Sequence, residues 1–335
     1  MIRSLVLATF ALLATTVQAA GPSVASAREG LPLRPAHTYS IVAFDPATGQ
    51  LGAAVQSHWF SVGGSVIWAE PGVGAVATQS FIEVSYGPNG LAAMRGGAAA
   101  PDALKALLAK DKHTNVRQVG MVDAKGRVAV HTGDKAIDAH CEIAGTHFTV
   151  QANMMDNATV CPAMKQAFEK ADGDLAARMM AALDAAQAAG GDVRGKQSAA
   201  LLVVQGDASV PAWKGRLFDL RVEDAAEPLV ELRRLLGVAR TYRKMTEGDD
   251  LMTVGKVEEA LAAYSAAEQM SPDNAEAVFW HAATLAAIDR VDESLPLFQK
   301  AFAMNPRWRE LVQRLPAADL LPKDPALMAR ILALP

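Results

Sequence analysis

The chain has 335 residues, with 32 Lys+Arg against 36 Asp+Glu, a formal net charge of −4, 51% hydrophobic residues and 20% charged ones. That balance excludes a disordered chain and a nucleic-acid binder that works through bulk positive charge. The length admits two domains, and aromatics at only 6% point to helices and sheets layered through Ala, Val and Leu.

Residues 1–19 (MIRSLVLATFALLATTVQA) combine Arg3, an apolar run from Leu5 to Val17, and Val17 and Ala19 at the spacing of a signal-peptidase site. They read as a secretory signal cut after Ala19, because the run is shorter than the roughly 20 residues that span a bilayer. A periplasmic or secreted protein without an integral membrane segment is therefore expected. Residues 20–36 are rich in Gly, Pro, Ala and Ser without periodicity and read as a flexible lead.

Order is expected from His37. Thr38 to Asp45 and Leu51 to His58 alternate at period two around Pro46-Ala47-Thr48-Gly49, a β-hairpin pattern. Gly74 to Ser80 reads as a further strand. Pro88 to Arg95 and Pro101 to Lys110 read as helices broken at Gly96-Gly97. Strands are expected at Arg117 to Val122, Gly126 to His131 and Phe148 to Asn153. Helices follow at Pro162 to Lys170 and Leu175 to Ala188, the second capped by Asp174 and stopped by Gly190-Gly191. Ser198 to Gln205 and Arg216 to Val222 complete the set as strands. This order is α+β rather than βαβ, and the continuous apolar runs GAVATQ and SAALLVV suit two face-to-face sheets with helices outside.

From Pro228 onward the pattern is helical. Ala260, Tyr264, Ala267 and Pro272 recur as Ser294, Phe298, Ala301 and Pro306, at the ~34-residue period of tetratricopeptide repeats, whose second helix this spacing resembles. The division expected is thus a sandwich over 37–225 and a small all-α unit over 226–335, with Trp308 to Leu315 as a helical cap. Two repeats are few for independent stability, so the unit is expected to lean on the sandwich through the helix Pro228 to Met245. Stacked helix pairs also form a concave surface suited to a protein or peptide partner, and buttressing the sandwich is the alternative role.

The chain contains no G-x-S-x-G, P-loop, H-E-x-x-H or paired C-x-x-C motif, which removes the simplest hydrolase, NTPase and zinc readings. His131, His140, Cys141 and His147 match no metal-ligand spacing, so no metal or cofactor is expected. Cys141 and Cys161, both in the exported part, are a disulfide candidate; two buried thiols that never meet are the alternative.

Four blocks carry a stronger signal: HTYSIVAFDPATGQLGAAVQSHWFSV from His37, AEPGVGAVATQSFIEVSYGPNGL from Ala69, RQVGMVDAKGRVAVHTG from Arg117 and GGDVRGKQSAALLVV from Gly190. Together with FTVQANMM from Phe148, and in this order, they resemble the domain-of-unknown-function 1028 family, which is assigned to the N-terminal-nucleophile (Ntn) hydrolases. The resemblance runs from Thr38 to Leu236. It implies a four-layer αββα sandwich and, at the position of Thr38, a nucleophilic hydroxyl on a first residue. Such a residue uses its own α-amine, with a pKa of about 7.7–8.0, as general base. Here signal cleavage alone leaves residues 20–37 ahead of Thr38, so a second cut between His37 and Thr38 is required.

Other positions of the family motifs are Ser57, Gln79, Asn153, Asp192, Lys196 and Gln197, polar residues of the motif blocks that are candidates for substrate or oxyanion contacts. His58 stands where relatives often carry Arg. Gln79, Asn153 and Lys196 are expected to approach the Thr38 hydroxyl, and Ser40, two residues along the same strand face, is the fallback hydroxyl. Two functions follow: an exported Ntn-type amidohydrolase acting on an unknown small-molecule or peptide substrate, or a non-catalytic periplasmic binding or assembly module.

Overall fold

The computed structural model describes residues 38–335. The expected signal peptide, the lead and His37 lie outside the described residues.

The chain enters as β1 (Thr38–Phe44) and returns as β2 (Leu51–Ser57). Their turn is closed by Asp45, whose carboxylate accepts from the Thr48 hydroxyl at 2.6 Å, with Gly49 at φ 72° where a side chain would be strained. A short helix α1 (Gly63–Val66) leads to β3 (Ile67–Glu70) and β4 (Gly74–Ser80). Two helices, α2 (Tyr86–Arg95) and α3 (Ala100–Leu108), precede β5 (Arg117–Asp123), β6 (Val128–Thr132), β7 (Cys141–Gly145) and β8 (Phe148–Asn153). Then come α4 (Val160–Lys170), α5 (Leu175–Ala188), β9 (Ser198–Val204) and β10 (Arg216–Val222). Asp174 caps α5 as its sequence predicts, accepting from the amide of Ala177 at 2.8 Å.

The strands form two antiparallel sheets, a six-stranded one in the order β10-β9-β2-β1-β8-β7 and a four-stranded one in the order β3-β4-β5-β6. The sheets face each other through β1, β2 and β8 on one side and β4 and β5 on the other. Helices α4 and α5 cover the outer face of the larger sheet, and α2 and α3 that of the smaller, giving helix, sheet, sheet and helix layers. Period-two alternation assigns each strand residue to a layer. In β1, Tyr39, Ile41 and Ala43 pack under α4 and α5, whereas Val42 packs between the sheets.

Two strands have no counterpart in the sequence reading. β3 has only four residues, IWAE, too few to show alternation. β7, CEIAG, is an edge strand that stays half exposed and lacks a β-branched run. It is tied down covalently: Cys141 at its start is bonded to Cys161 in α4, 20 residues away, with Cα atoms 6.1 Å apart. Replacing both cysteines by Ser is expected to lower unfolding free energy by about 3 kcal/mol. Urea denaturation of the two proteins measures this. Alkylation of the unreduced native protein is expected to label neither thiol.

After β10 the chain continues as α6 (Pro228–Thr253), α7 (Val257–Met270), α8 (Ala275–Ala287), α9 (Val291–Met304), α10 (Trp308–Val312) and α11 (Pro325–Leu332). The first of these is one helix of 26 residues, longer than the sequence suggests. Its first half places Leu229, Leu232 and Leu236 in the core beneath the larger sheet. Its second half pairs with α7, where a Cβ on Gly248 would come within 2.6 Å of the Tyr264 ring. Gly248 therefore permits the close approach that buries Tyr264. Helices α8 and α9 repeat this hairpin around Phe279, Phe298 and Phe302. Among the described residues no helix is long and apolar enough to cross a membrane.

Candidate functional site

The layer between the two sheets changes character along its length. Toward one end it is wholly apolar, built from Val42, Leu51, Ala53, Val55, Ala75, Ala77, Val122, Leu202 and Val204. At the end where β1 begins it is polar: Thr38, Ser40, Ser57, Gln79, Gln118, Thr149, Gln151 and Asn153 are all completely buried. Register produces this pole. Thr38 pairs with Ser57 on one side and Asn153 on the other, while Gln79 pairs with Gln118 across the facing sheet. Because side chains alternate, the inward polar residues of five strands meet at a single end.

Buried amides and hydroxyls need partners, and these make a network that staples the sheets together. Ser40 donates to Gln79 Oε1 at 2.6 Å and accepts from Gln151 Nε2 at 2.7 Å. Gln79 Nε2 in turn donates to Gln118 Oε1 at 2.7 Å, to the Thr38 carbonyl at 3.1 Å and to the Gln151 carbonyl at 3.2 Å. Gln118 Nε2 donates to Thr132 Oγ1 and the Ala152 carbonyl, both at 2.9 Å. Space for this comes from Gly120, where a Cβ would lie 2.4 Å from Gln151 Oε1 and 2.6 Å from Thr149 Oγ1.

At the head of β1 the Thr38 hydroxyl donates to Ser57 Oγ at 3.4 Å. Asn153 Nδ2 donates to Gln118 at 2.9 Å, whereas its Oδ1, equally buried, has no donor. Backbone at the strand exits departs from extended geometry: Ser80 has φ 70° and Met154 φ 55°. For residues other than Gly this conformation costs on the order of 1–3 kcal/mol and concentrates at functional sites.

The turn after Ser80 is braced from behind. Arg117 is buried, with Nη1 donating to the Phe81 carbonyl at 2.6 Å and Nε to Asp111 Oδ2 at 2.7 Å. Tyr86 donates to the same carboxylate at 3.1 Å. Burial pushes the Asp111 carboxyl upward, but hydrogen bonds led by Arg117 outweigh it and hold the group below the ordinary carboxylate range. Burial, followed by the Asp111 charge, raises the Tyr86 phenol.

Of the residues singled out in the sequence, Thr38, Ser57, Gln79 and Asn153 meet at this pole. Gln79 reaches the Thr38 carbonyl rather than its hydroxyl. Asp192 lies alongside, accepting from the His58 amide at 3.1 Å and from the Arg194 side chain at 2.7 Å. His58 Nδ1 is buried without a partner. Lys196 is ion-paired with Glu227 at the start of α6. Gln197 turns outward, to Asp224 at 3.3 Å. The histidines near Cys141 separate, His131 bonding the Thr114 carbonyl and His147 the Gly126 carbonyl. Among the described residues no cluster of His, Cys, Asp and Glu is placed to hold a metal ion.

Sequence reasoning passed over Gln118, Thr149, Gln151 and the Arg117–Asp111 pair. The signal was present in RQVGMVD and FTVQAN, where polar residues interrupt buried strands at the same parity as the candidates it chose. Gln56, on the opposite face of β2, is also fully buried, and neither amide atom has a partner; nothing in the structure explains it.

Comparison with known proteins adds the following. A family model described as a family of unknown function (DUF1028) matches residues 38–232. The crystal structure of protein SPO2555 from Silicibacter pomeroyi, itself titled as a DUF1028 protein, is 30% identical, with a TM-score of 0.55 over 61% of this chain and 86% of that one. No curated protein matches.

Proposed function

The chain belongs to DUF1028, a family of unknown function, and from that premise we propose that it is an exported Ntn-type hydrolase acting on an amide or related acyl bond, with Thr38 as its nucleophile. The observation that carries this reading is the buried polar pole centred on the first residue of β1. A layer otherwise filled by Val, Leu and Ala gathers eight polar side chains there at a cost in desolvation.

Cleavage between His37 and Thr38 frees the α-amine. The hydroxyl proton of Thr38 passes to that amine as Oγ1 attacks the acyl carbon, giving a tetrahedral intermediate. Its collapse breaks the carbon–nitrogen bond, the leaving amine takes the proton, and an acyl ester remains on Thr38. Water, deprotonated by the same amine, then attacks the ester and releases the acid. Ser57 holds the hydroxyl, Gln79 fixes the carbonyl of the same residue, and Asn153 Oδ1 supports a role as acceptor for an N–H of the freed amine. Lys196, paired with Glu227, has no part in this scheme.

Thr38 is completely buried in the intact chain, so the unprocessed protein is expected to be inactive. The test compares hydrolysis of a panel of N-acyl amides by the protein beginning at Ala20 and by one beginning at Thr38. Turnover confined to the second supports the proposal; equal turnover by both counts against an N-terminal nucleophile.

A second reading is favoured by an open cavity of about 620 Å3 between α6 and α8. Residues 226–335 would then act as a tetratricopeptide-like docking unit, with the sandwich over 37–225 as the part it delivers.

A further inference from the structure

Resting on that second reading, we infer that the cavity between α6 and α8 binds an extended peptide through a Lys or Arg side chain flanked by apolar residues. Three carboxylates line it, those of Asp249, Glu276 and Asp319, and no described Lys, Arg or His does. Asp319 is shared with Lys323 at 2.8 Å, but Asp249 and Glu276 enter no ion pair among the described residues. Each is instead held by a tyrosine. Tyr242 donates to Glu276 Oε2 at 2.5 Å, and Tyr264 donates to Asp249 Oδ1 at 2.6 Å. A neutral donor orients a carboxylate without cancelling its charge, so both anions face the cavity fixed in place.

The walls suit the rest of such a ligand. Tyr242 is 42% exposed and Leu320 49% exposed, and Trp280 is a further aromatic side chain in the lining. Aromatic faces beside carboxylates favour a cationic head with an aliphatic stem, which gains cation–π attraction and apolar contact together.

The experiment uses the full exported chain and three fluorescein-labelled peptides, LAKALKAL, LAEALEAL and LAQALQAL, read by fluorescence anisotropy. LAKALKAL is expected to bind at least about tenfold more tightly than the other two and to weaken as salt is raised. Asp249→Asn with Glu276→Gln, which keeps both tyrosine acceptors, is expected to abolish that preference, while Asp273→Asn, on the exposed turn before α8, leaves it intact. Circular dichroism confirms that each variant is folded. LAQALQAL binding as tightly as LAKALKAL, with both lost on Trp280→Ala, would overturn the cation inference while leaving a docking groove. No binding of any peptide overturns both.

Discussion

Thr38→Ala is expected to reduce amide hydrolysis by the processed protein about 10³-fold or more, with the fold retained. The methyl of Ala fills part of the same space at the head of β1, and the side-chain bonds given up include the 3.4 Å contact with Ser57. A loss of that kind costs about 1 kcal/mol of stability. Thr38→Ser restores a hydroxyl at the same atom and is expected to recover measurable turnover. Ser40→Ala distinguishes the two hydroxyls. Ser40 is spent on Gln79 and Gln151, so its removal is expected to lower thermal stability while Thr38 chemistry persists. Turnover that survives Thr38→Ala and vanishes with Ser40→Ala would transfer the nucleophile to the fallback position.

Arg117→Ala is expected to destabilise the sandwich by about 3–5 kcal/mol. It strips Asp111 of its counter-charge, removes the guanidinium bond to the Phe81 carbonyl and opens a space behind the turn that follows Ser80. The pH dependence follows from the depressed Asp111 carboxyl. Its contribution is present above the unfolded-state pKa and is lost as pH falls through the lower folded-state value, so the wild type loses it on acidification and Arg117→Ala lacks it throughout. Urea denaturation at pH 7 and in acid measures both effects. The double substitution with Asp111→Ala is expected to recover part of the loss, because no charge is then left buried. A loss below about 1 kcal/mol for Arg117→Ala would show that the pair is not what holds this turn.

Much of the architecture was legible because hydrophobic period changes along the chain. The β1–β2 hairpin declared itself through its Pro-Ala-Thr-Gly turn, and α5 through Asp174 and the following apolar face. The short elements did not, since β3 and β7 are each too brief to display a period and owe their place to neighbours. The length of α6 was hidden for another reason: its two halves bury different faces in different cores, which blurs any single periodic stripe.

The pole was half legible. Gln79 and Asn153 stand out as polar interruptions of buried strands, and the same signal at Gln118 and Gln151 went unused. What no local pattern states is register, and only register sets Asn153 opposite Thr38 and Gln79 opposite Gln118. Lys196 illustrates the same gap. A loop lysine gives no hint of which carboxylate it will meet, and Glu227, at the start of a helix packed on the larger sheet, meets it first.

The central claim is that Thr38 becomes a free N-terminal nucleophile, and one labelling measurement tests it. The protein recovered after expression of the full chain is treated with an acylating β-lactone, whose ring is opened by an activated hydroxyl, and the adduct is located by peptide mass mapping. The account predicts a single acyl group on Thr38, in a peptide that begins with that residue. A recovered protein that retains the residues immediately before Thr38 and carries no acyl group on it would contradict it.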